Sequence, residues 1–494
     1  MKKSLVPMIM MSLAALTVCS CGKVSDAEVS REFPPIWPDY TFVTVPRNIA
    51  PLNFGMADSV GCDKMRVTVE SDSGEISLRS GGRYARFGLR KWRRALENSA
   101  GGALKVSVSA RHGGKWITYA PFDIFVSNDT VDYGLTYRLI PPGYQSFGHM
   151  GLYERDLESF RQRTLIDTRM LESGCVNCHS ENRGDPSEFC FHVRGAHSAT
   201  YMRRDGEEEC LDTFTDSTGG SFVYPYWHSS GNYVAFSVNS TRQSFYSSHD
   251  KLMEVYDEWS DVIVYDPRTR EVLRPKATNA KDKFETMPAF SPDGRTLYYS
   301  VCDAAKMPDG IRRARYSLCA VGFDPDNGRV ADKVDTLVSA RDFGKSFVGV
   351  RPSYDGRYLL LTAADFGTFL IHHPEADLWL YDIKEMKAYP AGLINSDGTE
   401  SFHNWSSDSK WAVVASRRDD GLYTKLYIAH FNAERGDFDK AFLLPQRNPY
   451  EYYARLPYSY NTPDFTTAPV RLDAREARKA LLSPGREKVS LKED

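Results

Sequence analysis

The sequence predicts a mainly β protein in three parts: a small N-terminal β-domain, a short helical segment carrying a Cys/His motif, and a β-propeller. Three observations predict it. A strand, tight turn, strand pattern recurs four times in the second half of the chain. Alternating apolar and polar runs fill the first third, as half-buried strands do. The aromatic share is 13%, with 28 Tyr and 26 Phe, and such residues suit pleated, half-buried surfaces.

At 494 residues the chain exceeds one ordinary hydrophobic core, so it divides into domains. The predicted division is a signal peptide over 1–20, a linker over 21–38, the β-domain over 39–135 and the helical segment over 136–215. The propeller follows over 216–465, and a charged tail over 466–494. A net charge of −3 lacks the basic footprint of a nucleic-acid binder.

Lys2 and Lys3 precede an apolar run from Leu5 to Val18, too short to span a bilayer. The run ends in Val18-Cys-Ser-Cys21, and a small residue before cysteine after such a run resembles a bacterial lipobox. Cleavage before Cys21 would leave an acylated cysteine. That implies a lipid-anchored protein of a Gram-negative cell envelope, facing the periplasm or the surface. Cys19 is the poorer acceptor because Val18 precedes it.

In the β-domain, strands are expected at Met65–Val69, Leu104–Ser109, Trp116–Tyr119 and Phe122–Val126. One helix interrupts them, with Leu89, Trp92 and Leu96 on one face and Arg90, Lys91, Arg93 and Arg94 on a solvated face. A second helix is expected from about Glu154 to Leu171, with Leu157, Phe160, Thr164 and Leu171 aligned and Gly174 as its stop.

The propeller units are Trp227–Ser237, Phe290–Ser300, Arg351–Leu361 and Trp405–Ala415, each two strands around a tight turn. A third strand follows each: Asp261–Tyr265, Tyr316–Val321, Asp377–Tyr381 and Leu426–Ile428. Units in series at this spacing predict blades. The turn residues Gly231, Gly294, Gly356 and Ser409 are 63, 62 and 53 apart, which calls for long loops or for degenerate blades between them. His228 aligns with Ser291, Ser353 and Ser406, so it is expected to build a turn.

The chemistry-bearing motif is Cys175-Val-Asn-Cys178-His179. C-x-x-C-H in an exported chain reads as a c-type haem attachment site. Two cysteines three apart on a helical turn reach the vinyl groups of one porphyrin edge, and the histidine ligates iron. His192 and Met150 are the candidate ligands for the opposite face, followed by His149, His197 and Met202. The alternative cofactor is zinc, with Cys190 and His192 as a second ligand pair. Cys302 and Cys319 lie about symmetrically around a turn near Pro308-Asp-Gly310, which allows a cross-strand disulfide or two buried thiols.

The Ser-Pro-Asp-Gly box at Ser291–Gly294 resembles the TolB-type propeller repeat. Together with Pro46–Phe54, Tyr137–Tyr144, Cys175–His179, Phe191–Gly195 and Tyr458–Pro463, it resembles propeller lipoproteins with one haem motif. The resemblance implies an architecture and a haem c, not a substrate. It suggests a monohaem cytochrome that exchanges electrons with a redox partner protein or an envelope complex. The alternative is a non-catalytic docking module whose zinc or haem is structural. The chain carries no G-x-S-x-G, Walker A or H-E-x-x-H motif.

Overall fold

A computed structural model describes residues 27–492, apart from 72–73, 81, 143–148, 173, 216–217 and 247–252. Cys19 and Cys21, the lipidation candidates, lie outside the described residues.

The N-terminal domain holds a three-stranded sheet, Ile36–Trp37, Phe54–Met56 and Tyr84–Ala85, and a seven-stranded main sheet. Its order is Glu28–Val29, Lys115–Thr118, Ala103–His112, Phe122–Val126 and Thr44–Val45, with Cys62–Ser71 and Gly74–Ser80 alongside. The expected helix forms at Leu89–Asn98 and buries Trp92, Ala95 and Leu96, while its basic residues stay exposed. Arg93 pairs with Glu158 at 3.1 Å.

The rest of the chain is a six-bladed propeller, and its blades begin earlier than residue 216. Blade 1 takes Gly134–Ile140, Gly151–Asp156 and Gln162–Asp167 as its outer three strands. Its innermost strand is Ser459–Thr466, from the far end of the chain. Blade 2 is Cys175–Asn182, Asp185–Arg194, Ala199–Arg204 and Glu207–Asp212. Blades 3 to 6 start on the inner strands Phe222–Trp227, Lys283–Phe290, Ser346–Pro352 and Glu400–Trp405. The six inner strands touch in cyclic order, so the ring is closed.

The segment 136–215 is therefore strand, not helix. The expected helix over 154–171 fails because Leu165, Ile166 and Leu171 are buried without clean alternation. A strand covered on both faces loses its period of two and can imitate helical spacing. The tail over 466–494 is also structured. Helix Ala474–Leu482 packs Ala477 and Leu481 onto the core of blades 1 and 2. Glu487–Lys488 and Ser490–Leu491 then add parallel strands to the outer edges of blades 2 and 3.

The tight turns form as expected. The Ser291 amide donates to Thr296 O, and Ser291 Oγ caps the turn through Asp293. The same pattern recurs at Ser353 and Ser406. His228 takes the serine's place and bonds Ser230 Oγ at 2.8 Å.

Cys302 and Cys319 do not form a disulfide. Cys319 pairs with Tyr299 and Cys302 pairs with Phe284, so the two thiols sit on opposite faces of blade 4. Cys319 enters the core with Tyr299 and Val321, and Cys302 the one with Tyr316 and Met287.

Candidate functional site

Each inner strand carries one extra residue opposite its neighbour, a β-bulge, and each bulge has one residue at positive φ. These are Cys178, Tyr224, Met287, Gly349, Phe402 and Thr462. A bulge bends and twists its strand and re-aims its side chains. Here all six bulge residues border a central cavity of about 970 Å³.

The residue after the bulge is Pro225, Pro288 or Pro463 in blades 3, 4 and 1. In blades 2 and 6 it is His179 and His403. Both histidines are buried, and burial, with a neighbouring arginine, lowers each to a pKa of about 3. His403 Nε2 donates to Leu360 O on the second strand of blade 5, at 3.0 Å. His179 leans on the Thr136 backbone on the second strand of blade 1, although neither ring nitrogen reaches hydrogen-bond geometry. His403 thus ties its blade to the preceding one, and His179 occupies the equivalent position beside Thr136. His179 fills a structural position of the repeat.

The predicted residues separate. Cys175, Cys178, His179 and Met150 all line the cavity. His192 does not. It faces its own blade, with Nδ1 on Thr200 Oγ1 at 3.0 Å, and burial lowers its pKa to about 3. Cys190 is buried among Met202, Phe222 and Trp227 between blades 2 and 3. Cys175 and Cys178 are free thiols, and burial pushes the Cys178 thiol up.

Sequence reading missed what dominates the cavity: Arg138, Arg183, Arg194, Arg351 and Arg417 all line it. They come from different blades and from both ends of strands, so no local motif announces them. The inner strands run the same way along the channel, which gives the cavity two ends. Arg194 pairs with Cys175 at the start of the blade 2 inner strand, and Arg417 follows the strand paired with Glu400. Arg138 lies opposite Asn461. The fields of Arg138 and Arg194 both reach Cys178 and Tyr224. At the other end, Arg351 stacks on Tyr226 with 5.4 Å to the ring centre, and Arg183 on Tyr354 with 5.1 Å. Two carboxyls, Glu181 and Asp464, face those arginines. Burial raises both, and the Asp464 charge raises Glu181 further, so burial favours the protonated form of the pair.

No family model matches the chain, and no curated protein matches it. Among solved structures it is similar to a hypothetical selenium-binding protein from Sulfolobus tokodaii. That match has 8% identity, a TM-score of 0.39, and covers 70% of this chain and 96% of that one. It is also similar to a puromycin-hydrolyzing peptidase of Mycobacterium tuberculosis, with 12% identity and a TM-score of 0.36. There the match covers 82% of this chain and 57% of the other. A putative dipeptidyl aminopeptidase IV from Bacteroides ovatus matches at 12% identity and a TM-score of 0.26, covering 65% and 60%. Likeness at this level says nothing of activity.

The cytochrome reading is overturned, and with it the implied resemblance to haem-bearing propeller lipoproteins. The motif needs a helical turn that presents two sulfurs and frees a histidine. It lies instead on a bulged inner strand, where His179 is buried beside Thr136 of blade 1. The expected opposite ligand, His192, is outside the cavity. Among the described residues, no group of three or more His, Cys, Asp or Glu could hold a metal ion.

Proposed function

We propose that this chain is a ligand-binding propeller whose central cavity takes an anionic molecule with an apolar body. The observation that carries the reading is the excess of guanidinium groups: five arginines line the cavity, against two carboxyls whose burial favours the neutral form. Arg138 is 9% exposed and its Nε has no hydrogen-bond partner among the described residues. A buried, unmatched guanidinium is costly, and an anion would relieve the cost. Tyr224, Tyr226, Phe369 and Phe402 supply apolar wall, and the volume lies at the upper end for small-molecule sites.

The test uses two fluorescent probes of similar shape. Anilinonaphthalene sulfonate carries an anion, and phenylnaphthylamine is neutral. The sulfonate is expected to bind one per chain and more tightly than the neutral probe. Arg138→Gln and Arg194→Gln should each weaken it by roughly ten- to a hundredfold, the worth of one charged hydrogen bond at about 1.5–3 kcal/mol. The neutral probe should respond little. Equal losses for both probes, or none for either, would refute the anion reading.

A further inference from the structure

The two ends of the cavity differ in chemistry. At the end where the inner strands start, Arg138, Arg194 and Arg417 line the wall. At the end where they finish, the wall offers oxygen acceptors. Glu181 is 4% exposed and Asp464 8%. Glu181 Oε1 accepts from Thr136 Oγ1 at 2.9 Å, but Oε2 has no partner among the described residues. Thr466 lies close enough to favour the Glu181 carboxylate, yet its hydroxyl donates to Ala468 O at 2.7 Å. Asn461, 5% exposed, lines the same channel opposite Arg138, and its Oδ1 has no partner among the described residues. Asp464 is held by the Glu181 amide at 3.3 Å and by Asn404 Nδ2.

A buried carboxylate oxygen without a donor needs one. Arg351 and Arg183 do not supply it: Arg351 Nη1 donates to Val350 O and its guanidinium lies over Tyr226, and that of Arg183 lies over Tyr354. A proton on the pair, which burial favours, is the makeshift. A ligand ammonium would replace that proton, with three donors for Glu181 Oε2, Asp464 and a nearby acceptor.

We infer that the cavity ligand is a zwitterion of the short-peptide class, with its ammonium at Glu181 and Asp464 and its carboxylate at Arg138 and Arg194. This rests on the anion-binding reading above and adds the second anchor and the ligand's direction. On binding, the ammonium keeps its three protons and forms hydrogen bonds. The proton that burial favours on the carboxyl pair passes to solvent, so no bond is made or broken beyond that proton transfer.

The experiment is calorimetry on the full chain with three probes: the tripeptide Ala-Ala-Phe, its N-acetyl form and its C-terminal amide. The free peptide is expected to bind about tenfold or more tighter than the acetyl form, as loss of a charge-assisted contact implies. Titrations in two buffers of different ionisation enthalpy should show proton release on binding. Glu181→Gln is isosteric with the protonated side chain, so it should fold. It should abolish the acetyl discrimination and the proton release while leaving discrimination against the amide intact. Asp464→Asn serves as the second variant, with the same expectation. Equal binding of free and acetylated peptide by the wild type would overturn this inference. Equal binding of free and amidated peptide would instead sink the anion-binding reading. If none of the three binds while the sulfonate probe does, the peptide assignment falls and the anion site stands.

Discussion

A chain ending at Pro457 is expected not to fold. It would lack the inner strand Ser459–Thr466, which completes blade 1 beside Gly134–Ile140. The loss strips Tyr460, Phe465, Val470, Leu472 and Leu481 from the core, all 5% exposed or less. At about 2–5 kcal/mol for each buried side chain, the loss of about 10–25 kcal/mol equals or exceeds a typical domain stability of about 5–15 kcal/mol. It also leaves the inner edge of Gly134–Ile140 unpaired, a template for aggregation. Stopping at Thr466 keeps the ring and removes only the outer belt of helix and edge strands. That chain should melt at a lower temperature but still cooperatively. Thermal melts by circular dichroism check both. A chain ending at Pro457 that melts sharply near the full-length temperature would show that the ring does not depend on this strand.

The second large effect is acid sensitivity centred on His403. Burial, reinforced by the Arg351 charge, lowers its pKa from 6.5 to about 3. A lowered folded-state pKa means the unfolded chain binds the proton first. The stabilisation is therefore complete above about pH 6.5 and is lost as the pH falls through that value toward 3. The slope is about 1.4 kcal/mol per pH unit for one group. His403→Gln keeps a donor for Leu360 O and cannot titrate. Its unfolding free energy should fall less steeply between about pH 6 and pH 4, by roughly one proton's slope. Asp257 and Glu285, each raised to about 7 by burial, act in the opposite sense. They are present in both proteins and cancel in the difference. Urea unfolding across that range measures it, and parallel pH profiles for variant and wild type would contradict the account.

The sequence by itself determined the β class, the propeller and the β-domain helix, because those signals are local. Ser291, Ser353 and Ser406 close their turns within six residues, and Trp92 and Leu96 share a face through helix geometry alone. It missed blades 1 and 2 because neither carries that turn box and one is assembled from residues 134–167 and 459–466. It misread Cys175–His179 because spacing along a chain does not say whether the chain is coiled or extended. A bulged strand and a helical turn place the same letters on different neighbours. Only the closed ring decided that His179 stands where other blades hold proline. The ring likewise brought Arg138, Arg194, Arg351 and Arg417, with Glu181 and Asp464, to one cavity. These residues come from four blades and are far apart in sequence. Their charges act on one another through space, and that distance is set by blade packing rather than by any pattern in the chain.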